Sequence, residues 1–392
     1  LAAKKLGFTI LYMPFEPNLP EIKMEGLDIV FVSSLHEVIQ HLSGQLLLPF
    51  HSPQLIQDDS IEFEKDFQDI IGHEFAKRVL EIAASGEHHV FMSGPPGCGK
   101  SLLAETFPFI LPPLSNEAQL EKVSLYQLAG SEILQINQPS FRNPHHSASS
   151  VSIIGGGQNP KPGEISLAHR GVLFLDEMAE FSKKTLDMLR QPIETQKVTI
   201  SRTRSTVTYP AAFLLIGAMN PCPCGYLGSS SHYCTCTPKQ IQSYQNQISG
   251  PIRDRFDISL SLQSISLDMK SNIQSKTSEM IRKRVIKARN RQYERYDKEV
   301  CNGRVSYELL IKTSNPSEKI KQLLQQMAFK RKWSNRIQVK IMRLARTISD
   351  LREENHISEE AIWEAMTLSR SSDNNRIVGQ RDRSRVPGSR SQ

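Results

Sequence analysis

Hydrophobic positions along the chain fall into two regimes. From Phe67 to about Asp268 they come as short continuous runs, and beyond Asp268 they recur at helical spacing. Val172–Leu175 and Phe213–Ala218 are apolar runs of strand length, as strands buried on both faces of a parallel sheet must be. A further strand, His89–Met92, leads straight into a glycine-rich loop. Phe75, Val79, Leu80, Ile82 and Ala83 predict the apolar face of a helix over Glu74–Ala84, stopped by Gly86, and another helix opens at Lys100. Ser115 to Arg170, with several prolines and Gly155-Gly156-Gly157, reads as short elements and loops. Alternating Val, Thr, Ile and Arg predict a hairpin over Val198–Tyr209. Ser334–Leu351 and Ser358–Leu368 predict amphipathic helices. Strands alternating with helices, then helices alone, predict an α/β fold: a parallel sheet with helices on both faces, followed by a helical domain.

The ends read differently. Residues 1–49 look like a βαβα fragment, with strands Phe8–Met13 and Leu27–Val32 and a helix Leu35–Leu42 capped by Ser34 and ended by Gly44. So few residues make a poor core, so this is expected to be the end of a larger domain in a chain missing its true N-terminus. Residues 50–64, after Pro49 and with Pro53, Asp58 and Asp59, are expected to be a linker. The expected divisions are then 1–49, 50–64, a core over 65–267, a helical domain over 268–370 and a disordered basic tail over 371–392.

The longest apolar run, Ala211 to Met219, is far short of the ~18 residues of a membrane span, so no membrane helix is expected. No signal peptide is evident either. The net charge is +7, but it is unevenly placed. Lys276 to Arg346 carries 20 basic and six acidic residues, and Arg370 to Gln392 six arginines against two aspartates. The asymmetry fits a nucleic-acid or acidic-protein partner, or else a solvated helical face. Of six cysteines, Cys222, Cys224, Cys234 and Cys236 cluster while Cys98 and Cys301 stand alone. A disulfide framework would be more dispersed, so a reducing, cytoplasmic setting is expected.

Gly94-Pro95-Pro96-Gly97-Cys98-Gly99-Lys100-Ser101 matches the phosphate-binding loop GxxxxGK[ST] between a predicted strand and a predicted helix. Backbone N–H groups of such a loop curl around phosphate oxygens at a helix N-terminus. Lys100 is expected on the β- and γ-phosphates of ATP, and Ser101 on Mg²⁺. Asp176-Glu177 ends an apolar strand 76 residues after Lys100. Asp176 suits the Mg²⁺ shell and Glu177 the polarising of an attacking water. Asn220, ending the next strand, can orient that water, or simply turn the chain before Pro221. Arg253 and Arg255, in Pro251–Asp257, either form local pairs with Asp254 and Asp257 or reach a neighbouring subunit's γ-phosphate.

This arrangement resembles the AAA+ superfamily, and more narrowly the magnesium-chelatase-like ATPases of the YifB/ComM family. The resemblance rests on Ile71–Arg78, the phosphate loop, Pro144-His145-His146-Ser147-Ala148-Ser149, Pro162–His169, Val172–Glu177, Asn220-Pro221-Cys222-Pro223-Cys224-Gly225 and Asp254-Arg255-Phe256-Asp257. It implies a P-loop AAA+ sheet with an α-helical lid, and for residues 1–49 the end of a Lon-protease-like (ribosomal S5 domain 2-type) fold. It implies that Asn220 is the first sensor residue, Arg255 an arginine finger acting in trans, and Arg336, in Ser334-Asn335-Arg336, the second sensor. ComM-type members are similar to hexameric DNA motors driving branch migration, which implies a homo-hexamer, ATP hydrolysis and DNA as partner. The rival readings are a chelatase-type subunit remodelling a protein and a sigma-54-type transcription activator. Against the last, there is no Gly-Ala-Phe-Thr-Gly-Ala loop and no C-terminal helix-turn-helix.

Three features stay open. Cys222-x-Cys224, nine residues, then Cys234-x-Cys236 suits a structural Zn²⁺ bracing the loop after Asn220, or four reduced thiols. Lys197, Arg202 and Arg204 stand in a hairpin which, in this branch of AAA+ proteins, lines the central pore. They are candidates for DNA-phosphate contact, or ordinary protective charges on an exposed strand. His145 and His146 are a metal pair or packed, solvated histidines.

Overall fold

The computed structural model describes residues 2–14, 26–44, 64–133, 135–202, 205–229, 232–264 and 276–370. The expected linker 50–64, apart from Glu64, and the tail after Arg370 lie outside these. Two compact units are formed, one from residues 1–62 with 114–138 and one from 63–113 with 139–392.

In the first unit, helix α1 (Ala2–Lys5) precedes strands β1 (Ile10–Pro14) and β2 (Asp28–Val32), which pair in parallel with Ile10 opposite Asp28. Helix α2 (Leu35–Leu42) follows, its first turn capped by the Ser34 hydroxyl, which accepts from the Glu37 N–H.

The second unit opens with α3 (Glu74–Gly86), β3 (Val90–Ser93) and α4 (Lys100–Thr106). Val79, Leu80, Ile82 and Ala83 are fully buried, but Phe75, expected beside them, is 60% exposed in the first turn. Gly86 does not stop α3 by turning left-handed; Glu87 does, at φ 55°. Gly86 is needed because a Cβ there would collide with His88 and Thr347, the latter on a helix far along the chain.

Helix α5 (Asn116–Ala129) belongs to the first unit and fills a stretch expected to be loop. Its apolar residues, Ala118, Leu120, Val123, Leu125 and Leu128, are spread around the helix, so no single face announces it.

The chain continues through β4 (Phe141–Arg142), α6 (Ser150–Ile154), the small hairpin β5 (Gly155–Gly156) and β6 (Lys161–Pro162), and α7 (Glu164–Leu167). Strand β7 (Val172–Leu175), helices α8 (Lys183–Met188) and α9 (Arg190–Thr195), the hairpin β8 (Lys197–Arg202) and β9 (Ser205–Pro210), and strand β10 (Leu214–Met219) come next. Helices α10 (Pro238–Gln245) and α11 (Gly250–Arg253) lead to β11 (Ile258–Ser261). The central sheet is parallel in the order β11-β3-β10-β7-β4. Every residue of β7 and β10 is buried, as their unbroken apolar runs require. The order puts the ends of β3, β10 and β7 side by side, so the phosphate loop, Asn220 and Asp176 emerge from one sheet edge.

Helices α12 (Ser278–Tyr296), α13 (Tyr307–Ser314), α14 (Glu318–Arg331), α15 (Asn335–Leu351) and α16 (Glu359–Arg370) form the helical lid domain. Thr277, Ser306, Ser317 and Ser334 cap the first four, each side chain accepting an N–H three residues on. The domain is tied to the opposite, N-terminal edge of the sheet. Thr347 is 2.8 Å from His88 Nε2, the Gly303 N–H donates to Gly86 O at 2.8 Å, and Lys340 Nζ donates to Phe256 O. Beneath these contacts Asp350 is buried between Arg295 and Arg346 and accepts from Asn302 at 2.9 Å. Two guanidinium groups and one neutral amide donor make such burial tolerable.

Candidate functional site: a phosphate cradle and a cysteine cluster

The phosphate loop needs its glycines for two distinct reasons. A Cβ on Gly94 would lie 2.7 Å from both Cys98 Sγ and the Leu262 carbonyl. Gly97 and Gly99 take φ values of +74° and +85°, the second as the N-cap of α4. Pro95 and Pro96 carry the loop between them. Cys98 is buried, and burial raises its thiol pKa, which keeps it protonated and unreactive. The isolated Cys301 is likewise a core thiol, pushed up to about 12 by burial.

Lys100 is 8% exposed, and its Nζ donates to Gly94 O at 2.8 Å, Pro95 O at 2.9 Å and Asn220 Oδ1 at 3.1 Å. The Ser101 hydroxyl donates to Asp176 Oδ2 at 2.6 Å, and the Glu177 N–H to Asp176 Oδ1 at 2.8 Å. Five residues expected from the sequence to work together therefore fall into two hydrogen-bonded sets, Lys100 with Asn220 and Ser101 with Asp176 and the Glu177 N–H, joined by the Lys100–Ser101 peptide. Ser101 and Asp176 place two oxygens side by side, the hard donor set that Mg²⁺ takes. Glu177 has φ 45° and ψ 45°, left-handed backbone that a non-glycine residue adopts at a cost of about 1–3 kcal/mol. Its carboxylate takes no part in the Ser101–Asp176 hydrogen bond. Its Oε2 instead lies 3.4 Å from His146 Nδ1.

Arg255 and Arg336 are not brought to this cluster. Both pair with the Glu194 carboxylate on α9, Arg336 at 3.0 Å. Arg255 also donates to Pro251 O at 3.1 Å, and its side chain is only 10% exposed. Burial and the neighbouring Arg336 lower its pKa. Arg255 precedes β11, whose Ile258 is opposite Val90 at the start of β3, so it stands at the N-terminal edge of the sheet. Lys100 lies beyond the other edge, a strand length of roughly 10–13 Å away at ~3.3 Å per residue. Glu194 carries no sequence signal for this role; only the fold places it between two arginines.

The cysteine cluster follows Asn220 directly. Cys222 Sγ lies 3.4 Å from Cys224 Sγ and 3.7 Å from Cys234 Sγ, and Cys224 and Cys234 are 3.6 Å apart. All four sulfurs, Cys236 included, fall within 4.8 Å of one another, and none is in a disulfide. Zn–S bonds of ~2.3 Å in a tetrahedron put sulfurs about 3.8 Å apart, so the set fits a closed zinc site. Backbone N–H groups of Leu227 and Cys224 donate to Cys222 and Cys236 Sγ at 3.3 and 3.4 Å, the outer-shell bonds such thiolates use. Tyr226 N–H is the largest influence bringing Cys224 down to about 6, whereas desolvation and the neighbouring Cys224 thiol raise Cys222, Cys234 and Cys236. The loop also bears on the phosphate cradle: a Cβ on Gly225 would lie 2.6 Å from Pro96 Cδ.

In the β8–β9 hairpin Lys197 opposes Pro210 and Arg202 opposes Ser205. Val198 and Ile200 face inward, while Lys197, Thr199 and Ser201 are exposed. The side chains of Arg202 and Arg204 lie outside the described residues. The His145 and His146 rings lie tilted at 33° with centroids 4.1 Å apart, and among the described residues they form no three-ligand group with Glu177 or any other residue.

Comparison with known proteins decides the family. Residues 66–269 match "Magnesium chelatase, subunit ChlI", and residues 275–369 match its C-terminal counterpart. The chain belongs to the magnesium-chelatase-like AAA+ ATPases of the YifB/ComM family. Within it, the chain is 43% identical over 309 residues to the YifB protein of Salmonella typhimurium, covering 77% of this chain and 60% of that protein. It is 37% identical over 358 residues to Escherichia coli YifB, covering 88% and 68%. It is 38% identical over 344 residues to the competence protein ComM of Haemophilus influenzae, covering 86% and 67%. The chain thus spans about 60–68% of the length of these relatives. Among the described residues no helix is long and apolar enough to cross a membrane.

Proposed function

We propose that this AAA+ ATPase is the motor part of a homo-hexameric ring that drives DNA, as in branch migration during DNA uptake and recombination. The observation that carries the ring is the placement of Arg255 and Arg336 on Glu194, at the sheet edge away from their own Lys100. An arginine there reaches a neighbour's γ-phosphate rather than its own, and such a finger is worth roughly 10³–10⁵ in rate. DNA as the track is supported by the basic hairpin, by the positive charge of the helical domain and by the competence protein among the relatives. The setting is taken to be cytoplasmic, in keeping with free thiols.

The chemistry assigned to the site is hydrolysis of the γ-phosphate. Lys100 leaves its loop carbonyls for the β- and γ-phosphate oxygens, and loop N–H groups hold the rest. Ser101 and Asp176 would hold Mg²⁺, which when bound neutralises phosphate charge. Asn220 orients a water in line with the γ-phosphorus. Glu177 accepts the water's proton as its oxygen bonds to phosphorus and the bond to the bridging oxygen of ADP breaks. Cys222, Cys224, Cys234 and Cys236 would hold a structural Zn²⁺, bracing the loop beside Pro96. We assign the ATPase core to 65–267, the lid to 268–370, and residues 1–49 to the end of a Lon-protease-like domain, for which the parallel β1–β2 pair and α2 are the support.

The family description equally names magnesium chelatase, which keeps a protein-remodelling subunit as the second reading. Phosphate release measured without DNA and with single-stranded, duplex and branched DNA separates the two. Stimulation by DNA supports the motor; equal rates at low salt favour the remodeller.

A further inference from the structure

We propose that the C-terminal end of α14 is a second DNA contact, which takes single-stranded DNA by stacking a base on Phe329 and pairing the flanking phosphates with Lys330, Arg331 and Lys332. This contact rests on the DNA-motor reading above and gives that motor a preference for an unpaired strand. Residues 319–349 hold nine basic residues and no acidic one. Six of the nine are engaged within the protein. Lys319, Lys321, Arg336 and Arg346 pair with Glu359, Glu318, Glu194 and Asp350, and Lys340 and Arg343 donate to the carbonyls of Phe256 and Val305. The three that are left, Lys330, Arg331 and Lys332, are consecutive, exposed and without an ion pair among the described residues. Directly before them Phe329 is 91% exposed.

Packing does not account for this phenyl. The packed face of α14 is Ile320, Leu324 and Met327, at helical spacing, and Trp333 returns to the same core. Phe329 follows Leu324 by five positions, about 140° round the helix, and lies with the exposed Gln322, Gln325, Gln326 and Lys330. Every other exposed residue of α14 is polar. A single exposed apolar side chain is ordinary on a protein surface, but a ring set among amides and unpaired cations is a particular one. A protein-docking surface needs an apolar centre, and a helix that lies on a membrane needs an apolar face; α14 offers neither. An unpaired nucleic-acid strand takes this mixture, with a ring for a base and cations for its phosphates. The helix dipole favours cations at a C-terminus, yet it leaves their charge without a counterion.

The turn that carries these groups is fixed. Lys332 has left-handed backbone at φ 53°, its N–H closes on the Ala328 and Phe329 carbonyls, and the Trp333 N–H donates to Ala328 O at 3.0 Å. The ring and the cations are thus presented together with little backbone entropy left to lose on binding. The turn leads into α15, where Arg336 pairs with Glu194 at 3.0 Å, three residues before Lys197 opens the β8–β9 hairpin. One ion pair therefore joins this end of the lid to the root of the basic hairpin. Preference for a single strand follows from stacking: an unpaired base can offer a face to the phenyl, whereas in a duplex both faces are covered by neighbouring bases.

The test titrates fluorescently labelled oligothymidylate and a labelled duplex of mixed sequence with the ATP-loaded full chain and reads anisotropy. Phe329→Ala is expected to weaken oligothymidylate binding about five- to hundredfold, while duplex affinity and DNA-free ATP hydrolysis stay within about twofold of the parent. Phe329→Trp, with a larger stacking face, should bind oligothymidylate at least as tightly as the parent. The salt slope on the single strand should be unchanged in Phe329→Ala. It should be flatter by up to about 2 in the Lys330→Gln/Arg331→Gln/Lys332→Gln variant, at about 0.7 per phosphate. Single-strand affinity of Phe329→Ala within about twofold of a parent that binds DNA overturns the proposal. So does an equal loss on single strand and duplex. A smaller assembly of Phe329→Ala in sedimentation overturns it too, since the phenyl is then a contact between copies of the chain. The same holds if phosphatidylserine vesicles retain the parent but not Phe329→Ala. A parent that binds neither DNA at low salt would instead overturn the DNA reading on which the contact rests.

Discussion

Replacing Cys222 by Ser perturbs the cysteine cluster at its most buried member. Cys222 Sγ contacts two other sulfurs at 3.4 and 3.7 Å and accepts the Leu227 N–H at 3.3 Å. Apparent binding free energies of structural zinc in small domains run to ~10–16 kcal/mol, so an even share for one thiolate in four is about 3 kcal/mol. That corresponds to roughly a hundredfold loss of zinc affinity. If the loop unfolds with its domain, the same loss lowers Tm by about 6–12 °C. The effect should extend to nucleotide, since Gly225 of the loop packs directly on Pro96 of the cradle. Loss of that backing at about 1 kcal/mol weakens ATP binding about fivefold. Elemental analysis of protein purified without added metal should find one zinc per parent chain and far less in Cys222→Ser. Cys301→Ala, which alters a thiol outside the cluster, should keep its zinc. A stable, metal-free parent with full nucleotide affinity would refute the reasoning and leave four reduced thiols.

Lys100→Ala should abolish nucleotide binding, whereas Glu177→Gln should bind ATP and hydrolyse it about 10²–10⁴-fold more slowly; equilibrium binding beside phosphate release distinguishes them. Arg255→Ala chains mixed with Lys100→Ala chains should regain activity that neither has alone, because one interface then has both intact halves; full activity of a diluted monomer would contradict this. Gly86→Ala should destabilise by about 1–3 kcal/mol in denaturant titration, since its Cβ meets His88 and Thr347; an unchanged midpoint would mean that the lid gives way there.

What could be read from the chain follows from how local each signal is. The strands at β3, β7 and β10 and the phosphate loop are written in contiguous residues, so their places along the chain were legible, as was the convergence of Lys100, Asp176 and Asn220 once a parallel sheet was assumed. Cap residues such as Ser34 and Ser334 likewise act within one turn. Helix α5 was not legible, because its apolar residues face all directions. Phe75 and Gly86 were misread for a related reason: exposure and close approach depend on partners distant in sequence, here Thr347. The pairing of Glu194 with Arg255 and Arg336 joins residues 61 and 142 apart, and that of His146 with Glu177 residues 31 apart, only through the fold. No spacing rule carries such contacts.

The central claim is that ATP hydrolysis is coupled to DNA held by its phosphates. The direct measurement is DNA-stimulated phosphate release across a salt series, for the parent and for a variant neutralised at Lys197, Arg202 and Arg204. DNA affinity of the parent should fall with salt at about −0.9 in log–log slope per phosphate contacted on duplex, with little dependence on base sequence. The triple variant should show a flatter slope and lose stimulation while its ATP affinity stays at the parent's value. No stimulation of the ATP-loaded full chain by any DNA at low salt would contradict the claim.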